Sequence, residues 1–504
     1  MYAMSGSCFR MLALGFLFSG SASGELKVSR IFSEGAVLQR GAEVPVWGTA
    51  DAGEKVTVDF SGQRLTVDVD QDGKWQVTLK PLTAQPAGKT LTVRSGDESL
   101  EIRDLLVGEV WYASGQSNMQ WTVGACAKKI AQIDALMKEP ASRSIRMVRL
   151  GNPDTPKPLA DLPSPVEWKK DLPENRAKQS AVAWFFARAL HDELKVPIGI
   201  IEGSWGGKPI EGFIPRDEFG KHPELKPILE LSDANELEKL KEIEGGVIIR
   251  NTAGRPGRIF HSRVAPVAPF AIKGFIWYQG ESNAGRGEDP RNYRLKMEAL
   301  VEGWRDAWGS DELPFYYVQL PSFKDSATGW VRLREEQRLA LKVPKTGMAV
   351  TIDLLDHDIH PANKFDVGNR LARWALAGSY GKEMVYSGPL FQSATTEGGK
   401  VRVSFDHVGE GLMVARKEGL QAPVAVRDGQ VGSFELADQE GKWHPAEARI
   451  AGKEVVVSSK SVPNPMAVRY ACEGEAEKAN LYNRAGLPAS PFCSDPKLLP
   501  WVGR

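Results

Sequence analysis

The chain has 504 residues, of which 42% are hydrophobic and 25% charged, with Lys+Arg and Asp+Glu equal at 64 each. That length excludes one ordinary core and sets about two to four domains as the expectation, while the composition excludes wholesale disorder. A formal net charge of +0 supplies no long-range attraction to nucleic acid or to an anionic bilayer, so neither is expected as a partner.

Residues 1–24 carry the order of a signal peptide. Arg10 precedes an apolar run over residues 11–18, and small residues follow, with cleavage expected after Ser23 or Gly24. The run is too short to cross a bilayer, and no later stretch of about 18 apolar residues follows it. A secreted or periplasmic protein without membrane insertion is therefore expected, its oligomeric state open. Cys8 would leave with the signal. Cys472 and Cys493 are near enough in sequence to staple one C-terminal loop in an oxidising compartment, with Cys126 the odd one. Lacking Cys-x-x-Cys spacing and a complementary ligand group, the chain implies no metal and no cofactor.

From residue 25 to about 104 the hydrophobic period is two. Val56, Val58 and Phe60 alternate with Thr57 and Asp59, and Asp72-Gly73 makes a hairpin turn before Trp75, Val77 and Leu79. A small N-terminal β-sandwich is expected. Its simplest role is to pack beside a catalytic domain; glycan binding is the alternative. From 105 to 386 strand and helix patterns alternate, which predicts a parallel sheet with helices on both faces. The strands fall at residues 105–114, 145–150, 198–202, 272–279, 315–320 and 348–353, with helices at 180–194 and 292–308. Residues 228–244 form a charged helical segment whose charges are simplest as a solvated face. Residues 153–173 and 251–258 look like surface excursions. From 387 to 504 the pattern is again β-rich, closing in a loop-rich tail.

Chemistry concentrates at the ends of the α/β strands. Residues 108–123 read GEVWYASGQSNMQWTV. A hydroxyl just past a buried strand lies where open α/β sheets place their ligand crevice, which makes Ser117 a candidate nucleophile. Plain helix-cap chemistry is the competing reading. Residues 201–213 read IEGSWGGKPIEGF, where Gly206 and Gly207 let the backbone approach a ligand. Residues 274–283 read GFIWYQGESN. There Asn283 could donate to an oxyanion, while Gln279 and Glu281 orient substrate or brace the loop. Asp356-His357-Asp358-Ile359-His360-Pro361 precedes a helix beginning near Lys364. The histidine suits general-base work, with His360 the first choice and His357 the second. Trp111, Trp121, Trp205, Trp277 and Trp330 could stack on sugar rings, and Arg332 or Arg334 could pair with a substrate carboxylate.

These four blocks, in this order, resemble the SGNH-hydrolase superfamily and, more closely, its sialate O-acetylesterase family. GQSN (115–118), GSWGGKPIE (203–211), WYQGESN (277–283) and DIHP (358–361) carry the likeness. AVLQRGAEVPVWG (36–48) and NLYNRAGLPASPF (480–492) extend it over nearly the whole mature chain. The resemblance implies a flavodoxin-like parallel sheet, flanked by β-rich modules, and a serine esterase that removes O-acetyl groups from carbohydrate. Ser117 would be the nucleophile and His360 the base, with Ser117, Gly206 and Asn283 forming the oxyanion hole. Gln116, Gln279, Glu281, Trp205 and Arg334 are the expected substrate contacts. One departure stands out. The superfamily spaces acid and base as Asp-x-x-His, and His357 stands where that Asp belongs. Asp358 is the nearest substitute, and a backbone carbonyl orients the histidine in some relatives. Acetylated sialic acid is the first expected substrate, acetylxylan or another polysaccharide the alternative. A non-catalytic glycan-binding protein, a lipase and a thioesterase are the competing functions.

Overall fold

Alternation in the N-terminal third produces short strands with one buried face each. β1 (Lys27–Val28), β2 (Val37–Gln39), β3 (Val44–Thr49), β4 (Lys55–Phe60), β5 (Gln63–Asp68), β6 (Lys74–Leu79) and β7 (Gln85–Ser95) lead into β8 (Glu98–Gly115). In this computed structural model, which describes residues 25–141, 144–324, 328–427 and 429–499, β1, β3 and β6 form one antiparallel sheet. A second layer pairs β4 with β5 and β7, and β7 with β8. Val46 and Val77 of the first layer share one hydrophobic cluster with Val58 and Val93 of the second. The signal peptide expected over residues 1–24 lies outside the described residues.

β8 carries the sequence pattern further than expected. Its first half pairs with β7 and with β2, and its second half pairs with strands of a parallel sheet. Asp104 sits inside it with φ 58, a conformation that bends the strand at the point where the two sheets meet. The boundary expected at residue 104 therefore crosses a strand instead of a linker.

The remaining strands of this sheet are β9 (Ile145–Arg149), β10 (Lys169–Lys170), β11 (Ile198–Glu202), β12 (Gly274–Tyr278), β13 (Phe315–Val318) and β14 (Thr346–Ala349). Their order is β10-β9-β11-β8-β12-β13-β14. All neighbours are parallel except β10, an antiparallel edge. β11 and β12 are buried at every residue, as a strand covered on both faces must be. Successive β8 residues show the two covers. Trp111 packs edge-on against Phe186, while Tyr112 packs edge-on against Trp304.

Helices α1 (Ser117–Gln120), α2 (Ala181–Leu194), α3 (Tyr293–Trp308), α4 (Thr328–Leu339) and α5 (Lys364–Tyr380) follow strands or their loops. Ser180 caps α2 by accepting the Ala183 N–H at 3.2 Å, and Asn363 caps α5 by accepting the Asp366 N–H at 3.0 Å, each satisfying a donor the helix leaves free. The charged segment at 228–244 is two helices, Lys226–Asp233 and Leu237–Glu244, separated at Asn235 with φ 56. Its charges are not all solvated, because Glu244 is buried.

The C-terminal module contains antiparallel sheets, including one built from Leu390–Glu397, Lys400–Asp406, Glu454–Ser458 and Glu447–Ala451. Phe492 stacks on Phe391 at 4.4 Å. The module is fastened to the α/β domain by polar contacts: Gln319 Nε2 donates to Ser490 Oγ at 3.0 Å, and Tyr482 Oη donates to Asp353 at 3.2 Å. The bridge that the spacing of Cys472 and Cys493 would allow is not formed, and both thiols are free. Cys472 Sγ points at the Phe492 carbonyl (3.2 Å) and Cys493 Sγ at that of Asp495 (3.1 Å). Burial pushes the Cys493 thiol up to about 12, which suppresses the thiolate that disulfide exchange needs. Among the described residues, no helix is long and apolar enough to cross a membrane.

Candidate active site

The site forms where β8, β11, β12 and β14 end. Gly115 closes β8 with φ +134, and a Cβ there would lie 2.1 Å from the Tyr278 carbonyl oxygen, so only glycine lets the chain turn this close to β12. Gln116 then caps α1, whose first residue is Ser117. The Met119 and Gln120 N–H groups both bond the Gln116 carbonyl. The Ser117 N–H precedes any intrahelical acceptor, as at every helix start.

Ser117 Oγ lies 2.8 Å from His360 Nε2. The two residues, 243 positions apart in sequence, have the geometry for proton transfer from hydroxyl to imidazole. Trp121 lies flat against the His360 ring, centroids 4.4 Å apart and planes within 7°, fixing its plane. Asp358 does not hydrogen-bond the ring: its Oδ1 is 3.8 Å from Nδ1. It accepts the His360 backbone N–H at 3.0 Å and Lys129 Nζ at 2.8 Å. Asp358 thus shapes the loop and acts on the ring through its charge. His357, the second choice for base, turns away to pair with Glu475 in the C-terminal module.

A buried network fastens the His360 loop to α1. Asn118 Nδ2 donates to the Ile359 carbonyl at 2.9 Å and to Glu281, and Asn118 Oδ1 accepts from Lys364 Nζ. Burial pushes the Glu281 carboxyl up to about 7 and the Lys364 ammonium down to about 8. Neither Asn118 nor Lys364 was marked by the motif alone, because an Asn after a Ser and a Lys opening a helix both read as surface chemistry.

His360 is held below the ordinary imidazole value, first by burial and then by the Lys364 charge, with Lys129 adding to the effect and Asp358 opposing it. A base must be neutral, so kcat/KM falls as pH drops through this value. The acid limb is therefore expected below about 6.5. Lys364→Met removes a cation and should move the limb up; Asp358→Asn removes an anion and should move it down. Limbs that move together, measured as kcat/KM against pH, would contradict this electrostatic account.

The other expected site residues divide into two groups. Gly206 lies against Ser117: a Cβ on it would be 3.5 Å from Ser117 Cβ. Its N–H donates to Gln120 Oε1 at 2.8 Å, while Gln120 Nε2 donates to the Ser204 carbonyl at 2.9 Å. Asn283 is buried, with Nδ2 donating to both Glu211 oxygens at 3.0 and 3.1 Å and Oδ1 accepting from Ile210 N–H at 3.0 Å. Glu211 pairs in turn with Lys296 at 2.6 Å, and Lys296 also meets Glu244. Burial pushes Glu244 up to about 8. Glu211, Lys296 and Glu244 are separated widely in sequence, and no motif joined them.

Several expected substrate contacts are braces. Gln116 Oε1 accepts Gln279 Nε2 at 3.0 Å and the Ser282 N–H at 3.1 Å. Gln279 also donates to Asn283 Oδ1 at 2.7 Å and accepts from Tyr293 Oη at 2.6 Å. Glu281 is taken by Asn118, as above. Arg334 is buried and donates to the carbonyls of Glu473 (2.6 Å) and Gly474 (3.1 Å), so it joins the C-terminal module to α4 instead of meeting a sugar. Arg332 pairs with Glu336 at 2.7 Å on its own helix. Trp111, Trp277 and Trp330 are core residues. Only Trp121 and Trp205 of that set are partly exposed.

A family model described as carbohydrate esterase, sialic acid-specific acetylesterase matches residues 255–377, a span that includes Asn283 and His360. A carbohydrate acetylesterase from Xanthomonas citri is similar in structure, with TM-score 0.80 and 35% identity, over 93% of this chain and 99% of that one. Fold, site and these likenesses define an esterase of the carbohydrate O-acetylesterase class. The sialate O-acetylesterase of Rattus norvegicus is 30% identical over 511 residues, 89% of this chain and 90% of the relative. That of Homo sapiens is 29% identical, over 96% and 93%. The chain belongs to the sialate O-acetylesterase family.

Proposed function

We propose that the protein is an exported sialate O-acetylesterase working through an acetyl-serine intermediate. The contact between Ser117 Oγ and His360 Nε2 at 2.8 Å carries this reading. His360 takes the hydroxyl proton as Ser117 attacks the acetyl carbonyl, and returns it to the departing sugar oxygen. Water, activated by the same imidazole, then releases acetate. The Ser117 N–H is open to the oxyanion. The Gly206 N–H joins it when Gln120 yields its hydrogen bond, and Asn283 Nδ2 joins when it turns one N–H from Glu211 to the oxyanion. The strand order β11-β8-β12-β13-β14 supports a flavodoxin-like SGNH sheet, with β9 and β10 added outside β11.

Acetate release from a panel of O-acetylated sialosides, acetylated xylan and acetylated pectin tests the substrate. Sialosides should give the highest kcat/KM. Faster release from xylan would move the assignment to a polysaccharide acetylesterase, and hydrolysis of long acyl esters at equal rates would remove the sugar specificity altogether.

A further inference from the structure

Two cations lie against one indole beside Ser117, and among the described residues neither forms an ion pair with an acid. Trp205 immediately precedes Gly206, and its N–H donates to the Gly115 carbonyl at 2.8 Å, which ties it to the turn carrying Ser117. Lys208 Nζ lies 5.2 Å from the Trp205 ring centroid and the Arg263 guanidinium 5.0 Å from it. Both are buried, at 9% and 1% exposure.

Among the described residues, Lys208 Nζ has no hydrogen-bonding or ion-pairing partner within reach. Arg263 donates from Nη1 to the Ser204 carbonyl, and its Nε is buried without a partner. The carboxylates that act on these cations are engaged elsewhere. Asp154 accepts from Thr252 and Arg258, and Glu202 from Arg149 and Ser204. An indole face offsets part of a cation's lost hydration. It does not replace a carboxylate, and burial lowers the pKa of Lys208 and brings that of Arg263 down to about 10. The residue before Lys208 is itself open: a Cβ on Gly207 would meet nothing within 4 Å.

We propose that Lys208, with Arg263 against the same Trp205 indole, is an anion subsite that takes the carboxylate of an acidic sugar whose acetyl group sits at Ser117. The proposal rests on the deacetylase reading above and adds what selects the sugar. It assigns the carboxylate to a residue three positions past the indole, in place of the buried Arg334. A charge-assisted contact in a half-buried ledge is stronger than one in open water. A neutral sugar leaves the cations unpaired.

An O-acetylated sialoside and its carboxylate methyl ester, identical but for one charge, isolate the effect. For the full-length protein, kcat/KM should be at least about 10-fold higher on the acid than on the ester. Lys208→Met should bring the ratio to within about 3-fold of unity, and Lys208→Arg should restore most of it. The unmodified protein alone supplies the first test, whatever the folding of the variants. Equal rates on acid and ester overturn the subsite and leave deacetylation standing, as does a ratio that survives Lys208→Met. Absence of acetate from both sialosides, with an aryl acetate still cleaved, overturns the sialate reading and the subsite with it.

Discussion

Ser117→Ala should abolish acetate release, lowering kcat by about 10⁴-fold or more, while leaving the fold unchanged. In the proposed scheme the hydroxyl is the attacking group, and among the described residues the side-chain hydrogen bond its oxygen makes is with His360 at 2.8 Å. Removing it costs no brace: α1 is held by the Gln116 carbonyl, by Asn118 to the Ile359 carbonyl, and by Gln120 to the Ser204 carbonyl. Thermal unfolding should therefore match the parent while turnover disappears. A labelled fluorophosphonate should modify the parent at Ser117 and leave the variant unmarked. Acetate release at the parent's rate would end the acetyl-serine scheme, since among the described residues no other hydroxyl has this contact with His360.

Asn283→Ala should lower kcat about 10²–10³-fold, or roughly 3 kcal/mol, as for other side-chain oxyanion donors. The structure adds a cost to that figure. Asn283 accepts from Ile210 and Gln279 and donates to Glu211, so its loss strands buried polar groups and should also lower the melting temperature. Glu211→Gln separates the two effects. It keeps Asn283 in place but removes one of the two carboxylates facing Lys296, leaving Glu244 alone to pair it; weakening a buried ion network in this way is destabilising. Asn283→Ala should thus fall mainly in kcat, and Glu211→Gln mainly in stability. Undiminished turnover in Asn283→Ala would take its side chain out of the oxyanion hole.

The Ser117–His360 contact was legible in the sequence because each member follows an apolar strand or its loop within a dense polar block. That density has one physical cause, since ligands sit at the carboxyl edge of a parallel sheet. The strands of the α/β domain were readable for the same reason: full burial on both faces leaves uninterrupted apolar runs. Three kinds of feature were not readable. Glu211, Lys296 and Glu244 meet only through tertiary packing, so the charged stretch at 228–244 looked like a solvated face. Gln116, Gln279 and Glu281 had the right residue types for substrate binding. Whether an amide faces a cleft or a neighbouring amide depends on rotamers that spacing does not encode. The Cys472–Cys493 proximity was real in the chain, but the thiols turn toward separate carbonyls. Arg334 was a charge near the right helix, buried on the side of α4 that meets the C-terminal module.

The passage of β8 from the sandwich into the catalytic sheet has a mechanical consequence. A single hydrogen-bonded ribbon, bent at Asp104, runs from Glu98 beside the outer layer to Gly115 beneath the nucleophile. Such a ribbon cannot hinge without breaking ladders on both sides, so the N-terminal layer and Ser117 form one lever instead of two bodies on a tether. Trimming the leading module at a recombination breakpoint near 104 would cut the anchor of the strand that aims the hydroxyl, and grafting that module elsewhere would carry a severed sheet edge with it.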